Sequence, residues 1–162
     1  MADMICNLLN LPDYHTLEAK LESEGIHVFR PLPGDMTRVL KWVNENSGES
    51  GLSECQIAFS HMPVSAYIAE KNGQVIGYAC HSIIAPDFFG PTRVDSSYQH
   101  KGIGALLLLK TLYSMRNIGF VYAIIGCIGP AEFYEKTVGA KIINDDLGIY
   151  ENSLKIKRKN LV

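Results

Sequence analysis

Apolar and polar positions change their spacing several times along this chain, and each change marks an element. From Tyr14 to Glu24, Leu17 and Leu21 stand four apart among charges and Gly25 follows, which predicts a short amphipathic helix. Ile26 to Leu32 (IHVFRPL) is β-rich and ends in the breaker PLPG, as a first strand does. Asp35 then stands where a helix cap belongs, before MTRVLKWVNEN, in which Val39, Leu40 and Val43 share a face beside Trp42. The following SGESGLSE carries turn chemistry and is expected to be a connection, with the stretch from Ser47 to Ser60 a variable part of a pocket.

The strongest local signal is SAYIAEKNGQVIGYACHSI, two strand-like runs joined by Asn72-Gly73, a dipeptide that accepts the positive φ angles of a tight hairpin. FFGPTRVD is a further strand, and a helix is predicted from Ala105 to Asn117, stopped by Gly119. FVYAIIGCI, Phe120 to Ile128, is a continuous apolar run suited to a strand buried on both faces. GPAEFYEKTVGA then reads as a short helix with Pro130 in its first turn and Gly139 at its stop, and KIIND with IYENSLKIK as a closing hairpin. Strand, loop, helix, strand is a right-handed crossover and gives a parallel pair, whereas the Asn72-Gly73 hairpin is antiparallel. The expected fold class is therefore α/β, a single mixed β-sheet of six to seven strands with an antiparallel N-terminal part and a parallel central pair, flanked by helices on both faces. Residues 1–25 are expected as an N-terminal helical extension and residues 26–162 as the domain proper.

Composition narrows the function classes. With 162 residues, 47% apolar and 20% charged, the chain suits one domain with a sizeable core. A net charge of −2 gives no reason to expect nucleic acid or an anionic membrane as partner. The one basic cluster, Lys155 to Lys159, reads as a solvated end. Cys6, Cys55, Cys80 and Cys127 form no Cys-x-x-Cys pair, so neither a zinc site nor a disulfide framework is expected. The opening MADMICNLLNLPDYHTLEAK lacks a basic leader region, and no apolar run approaches a bilayer span. A cytoplasmic location is the resulting expectation, and a homodimer is left open.

The chemistry concentrates at SSYQHKGIGALLLLK, Ser96 to Lys110. The first amides of a helix lack intrahelical acceptors and carry the positive end of its dipole, so glycines at 102 and 104 would let an anion approach, with His100 and Lys101 at the rim. KGIG is equally the composition of a tight turn that packs a helix against its strand. The dinucleotide fingerprint fails because Leu107 occupies its third glycine position, which argues against a nucleotide-binding oxidoreductase, and the triphosphate loop is absent. Gln99-His100-Lys101-Gly102-Ile103-Gly104 does match Gln/Arg-x-x-Gly-x-Gly/Ala.

With that motif, with FFGPT before it and with IIG, GP, FYEK and GA after it, the chain from about Ile26 onward resembles the GNAT superfamily of acetyl-CoA-dependent N-acetyltransferases. The resemblance implies the acyl-CoA N-acyltransferase fold, acetyl-CoA as cosubstrate and a small-molecule or peptide amine as acceptor. It implies backbone contacts to the pantetheine arm from Thr92, Arg93 and Val94, and a pyrophosphate cradle at His100, Lys101, Gly102, Ile103, Gly104 and Ala105 beside Gln99. Tyr134 matches the family's general acid, the alternative being a tyrosine that only anchors the helix or contacts the cofactor's sulfur; a phenol of pKa ~10 stays protonated at neutral pH and can still protonate a thiolate. The amide of Val94 matches the oxyanion donor.

The base departs from the pattern. The strand position that holds a carboxylate in some relatives is Phe88 here; Asp87 is adjacent, though strand alternation turns it to the other face unless Gly90-Pro91 bends the strand. His81 or a water are the other candidates. Cys127 stands where relatives often have a CoA-binding asparagine, and Pro130 where alanine is usual; a buried inert thiol is the plainer account of Cys127. Tyr150, Phe89 and Trp42 are candidate acceptor-pocket residues. The alternative to an enzyme is a non-catalytic CoA-binding or sensing module.

Overall fold

The computed structural model describes residues 2–144. One seven-stranded sheet runs in the order β2-β3-β4-β5-β6-β1-β7, with β1 Asp3–Asn7, β2 Ile26–Phe29, β3 Ala66–Lys71, β4 Gln74–His81, β5 Phe88–Val94, β6 Tyr122–Ile125 and β7 Lys141–Asn144. Every neighbouring pair is antiparallel except β5 and β6. That mixed sheet, flanked by helices, is the expected architecture. The hairpin turns at Asn72 and Gly73, whose φ angles of 52° and 77° suit the right-handed twist of its strands.

The helices are α1 His15–Ser23, α2 Met36–Ser60, α3 Ile103–Asn117 and α4 Ala131–Val138. Two apolar clusters lie on opposite sides of the sheet. The larger gathers Leu106, Leu107, Leu108 and Leu112 of α3 against Ala69, Ala79, Phe89 and Ile125, and the smaller packs Val39, Val43, Cys55 and Ala58 of α2 on Ala66, Ile68, Tyr78 and Cys80. Strand alternation divides β4 between them, Ala79 facing α3 and Tyr78 facing α2.

Three elements depart from expectation. The N-terminal stretch contains the predicted helix but also β1, which lies inside the sheet between β6 and β7. Met4, Cys6 and Leu8 are fully buried at alternate positions, a period-two pattern too short to stand out in sequence. Second, SGESGLSE is not a connection: α2 is kinked only at Gly48 (φ 67°, ψ −170°) and continues to Ser60. Asp35 holds the N-cap position of that helix as expected, but its side chain bonds none of the helix amides; its carboxylate accepts from the Leu32 amide at 2.9 Å, closing the 3-10 turn Pro33–Asp35. Third, the apolar run Phe120–Ile128 gives only the four residues of β6, with Tyr122 exposed. The second arm of the expected closing hairpin, the Lys155–Lys159 cluster and Tyr150 lie outside the described residues. Among the described residues no helix is long and apolar enough to cross a membrane.

Candidate functional site

The parallel pair opens. β5 and β6 are in register only at Phe88 opposite Ile124 and Phe89 opposite Ile125; beyond Gly90 the two chains part. The other edge of β5 stays paired with β4, Arg93 opposite Tyr78 and Val94 opposite Gly77. Asp95 N–H bonds Ile76 C=O at 2.9 Å, so antiparallel alternation turns the backbone groups of Arg93 toward β4 and those of Thr92 and Val94 toward the gap. Among the described residues Val94 C=O receives only Gln99 Nε2, at 3.4 Å. A strand with one open edge is a template for an extended ligand.

Two adjoining cavities occupy the gap. One, of about 550 Å3, lies between the strands; the other, of about 350 Å3, lies along the loop before α3. Both are lined by Thr92, Arg93, Val94 and Gln99, so they form one slot. Of the loop residues, His100, Gly102, Gly104 and Ala105 line it; Lys101 instead lies 5.1 Å over the Tyr98 ring, and the Ile103 side chain is buried in the core, leaving only its backbone for a ligand.

The two glycines of the loop differ in what requires them. Gly102, the residue before α3, has φ +93°, and a Cβ there would meet Leu17 Cδ1 at 2.9 Å, so the fold itself favours glycine at this position. At Gly104 a Cβ would meet Phe133 and Val94 at 3.7 Å, ordinary contact, so nothing in the protein forbids alanine. No side chain caps α3, whose first bond into the loop runs from Leu106 N–H to Gly102 C=O. Among the described residues the amides of Ile103, Gly104 and Ala105 have no acceptor, and they sit at the positive end of a fifteen-residue helix.

Tyr134 of α4 stands on the other wall. Its ring is packed edge-on to Phe89 at 6.4 Å and Phe133 at 5.0 Å and is 7% exposed, while its hydroxyl has no hydrogen-bond partner among the described residues. Burial, and then the Cys127 thiol beside it, push its pKa above the ordinary value, so the phenol keeps its proton at neutral pH. The half-buried Cys127 also lines the slot, held by its amide to Asp3 Oδ1 at 2.9 Å; burial raises its thiol, the opposite of an activated nucleophile.

The candidate bases separate. Asp87 lies in the turn before β5, its carbonyl accepting the Ile124 amide, and it does not line the slot. His81 belongs to a different cavity, where burial and then the nearby Arg30 guanidinium and His61 depress its pKa to about 4. Arg30 can only donate to Ser114 Oγ, so Ser114 gives its own proton to His81 Nε2 (3.0 Å), and His81 Nδ1–H bonds Ser82 Oγ (2.9 Å). Phe89 lines the slot, whereas Trp42 stacks edge-on against Tyr78 at 6.2 Å outside it.

One carboxylate in the slot escaped the sequence reading: Glu54, half-buried on α2, one turn past Ser50 and Gly51. The Gly48 kink aims this second half of α2 at the slot, where Ser47 Oγ also meets Tyr78 OH at 3.2 Å. Among the described residues no cluster of His, Cys, Asp and Glu suits a metal ion.

The family model described as "Acetyltransferase (GNAT) family" matches residues 36–140. No curated protein matches the sequence. Among solved structures, the glucosamine N-acetyltransferase region of a fungal multi-domain β-N-acetylglucosaminidase is similar with TM-score 0.69 and 14% identity over 87% of this chain and 19% of that one. A GCN5-related N-acetyltransferase from Sphaerobacter thermophilus is similar with TM-score 0.65 and 19% identity over 87% of this chain and 47% of that one. A GNAT-family acetyltransferase from Brucella melitensis, in complex with acetyl-CoA, gives TM-score 0.50 and 18% identity over 75% of this chain and 90% of that one. The chain thus spans less than half the length of the first two.

Proposed function

The chain belongs to the GNAT acetyltransferase family, and from that premise we propose that it transfers the acetyl group of acetyl-CoA directly to an amine of a small molecule or peptide. The observation that carries the reading is the set of amides at Ile103, Gly104 and Ala105 without an acceptor among the described residues, at a helix start whose Gly104 and Ala105 line the same slot as Tyr134. Three convergent N–H groups at a helix start suit a pyrophosphate, and Gly104, which the protein does not itself require, leaves room for its approach.

Acetyl-CoA supplies an activated thioester; the chain's residues do the rest. The open backbone edge at Thr92 and Val94 aligns the pantetheine arm as an added strand, which aims the thioester between β5 and β6. Glu54 attracts the incoming ammonium and takes its proton, so that the neutral amine attacks the carbonyl carbon. The Val94 amide stabilises the oxyanion as the C–N bond forms. Tyr134 gives its proton to the sulfur as the C–S bond breaks, and the proton that the nitrogen sheds on becoming an amide restores the phenol. No acyl-enzyme is needed, in keeping with the raised pKa of Cys127.

The test is thiol release from acetyl-CoA across a panel of primary amines. Amine-dependent release is the expected result; saturable CoA binding without turnover on any amine would replace the enzyme by a sensing module.

A further inference from the structure

A second cavity, of about 580 Å3, opens at the other end of α3, between Ser114 and Ile118 and the segment that joins α2 to β3. It shares no lining residue with the slot. Arg30, His61, His81 and four serines provide its polar lining, Met62, Pro63 and Ile118 form an apolar rim, and no Asp or Glu of the described residues lines it.

Among the described residues the guanidinium of Arg30 there has only neutral partners. It donates to Val64 C=O, to Tyr67 OH at 3.2 Å and to Ser114 Oγ at 2.9 Å, and lies 5.1 Å from the centre of the Tyr67 ring. No carboxylate of the described residues lies within 4.0 Å of it. Its two bonds from Nη2 and one from Nη1 leave Nε–H and the second Nη1–H without an acceptor among the described residues. The neighbouring hydroxyls offer no negative charge: Ser114 and Ser82 are committed to the His81 chain, which ends at Pro86 C=O, 2.7 Å from Ser82 Oγ. A half-buried cation matched only by dipoles is completed by an anion, and a guanidinium is the group best shaped to take a carboxylate. The rim adds a second demand, since Met62 is 87% and Ile118 58% exposed beside it.

We propose that this cavity binds a small organic acid, its carboxylate on Arg30 beside His61 and its apolar body against Met62, Pro63 and Ile118. The volume exceeds what a bare oxyanion fills, and the apolar rim discriminates against one.

Benzoate is a suitable probe, titrated into the full chain and followed by amide NMR. Saturable shifts are expected at Ser65 and Ser82, with none from benzamide, which has the same body without the charge, and weaker binding of inorganic phosphate, which has the charge without the body. Arg30→Gln should weaken benzoate binding by ~10-fold or more. No saturable shift with benzoate, equal binding of benzamide, phosphate binding as tight as benzoate, or wild-type affinity in Arg30→Gln would each overturn the assignment. Should Arg30→Gln fail to fold, the benzoate–benzamide comparison on the unaltered protein decides.

Discussion

Tyr134 and Glu54 divide the proposed proton traffic, and each can be tested by removing only its proton chemistry. Tyr134→Phe keeps the ring contacts with Phe89 and Phe133 and should lower kcat by ~100-fold or more with acetyl-CoA affinity retained; steady-state kinetics beside calorimetry checks the split. Glu54→Gln should lower kcat by a similar factor while leaving acetyl-CoA affinity unchanged, a split that steady-state kinetics beside calorimetry reads. Glu54 had no legible signal: it is one of seventeen acidic residues, in a stretch whose glycines and serines read as turn, and only the kink at Gly48 brings it to the slot. His81 shows the converse, a residue whose type suggested chemistry and whose partners give it a structural task. Its folded pKa, about 4, lies below the ordinary 6.5, so the unfolded chain binds a proton that the folded one refuses. The stability it contributes is complete above pH 6.5 and is lost as pH falls through 4, by about 3 kcal/mol if the whole shift is expressed. Urea unfolding from pH 7 to 4 should show this slope, and His81→Gln should flatten it.

At the scale of elements, what was legible was local. The Asn72-Gly73 hairpin, the helix after the glycine loop and the strand FFGPTRV are each set by residues within a few positions, and all three formed as read. β1 was not legible because its partners lie more than a hundred positions away: Met4 pairs with Ile125 on one side and Ile142 on the other. That strand also matters to the slot, since Asp3 bonds the Cys127 amide and Ala2 C=O receives Ile128 N–H. The glycine loop yields a paired prediction. Gly102→Ala should cost about 1–2 kcal/mol of stability from its left-handed backbone, with further cost from Leu17. Gly104→Ala, by contrast, should leave the melting temperature nearly unchanged and weaken CoA binding ~10-fold, equivalent to ~1.4 kcal/mol. Reversed outcomes would mean that the second glycine serves packing and the first serves the ligand.

Across the whole molecule, one topological event creates the site. A sheet that is antiparallel elsewhere makes its one parallel junction at β5 and β6, holds it for two residue pairs, and then splays, leaving backbone groups of β5 open beside the start of α3. The alternation of helices and strands made the parallel junction readable in advance. The length of its contact, two residue pairs ending before Gly90, determines where the slot begins and was not readable from either segment alone. The proposed acetyl transfer therefore requires that the amides at the head of α3, without acceptors among the described residues, take the pyrophosphate of CoA. Amide NMR during a CoA titration tests this directly: the Ile103, Gly104 and Ala105 resonances should move downfield and saturate together, with Val94 following as the pantetheine arm pairs with β5. Saturating CoA that leaves those three amides unmoved would contradict it.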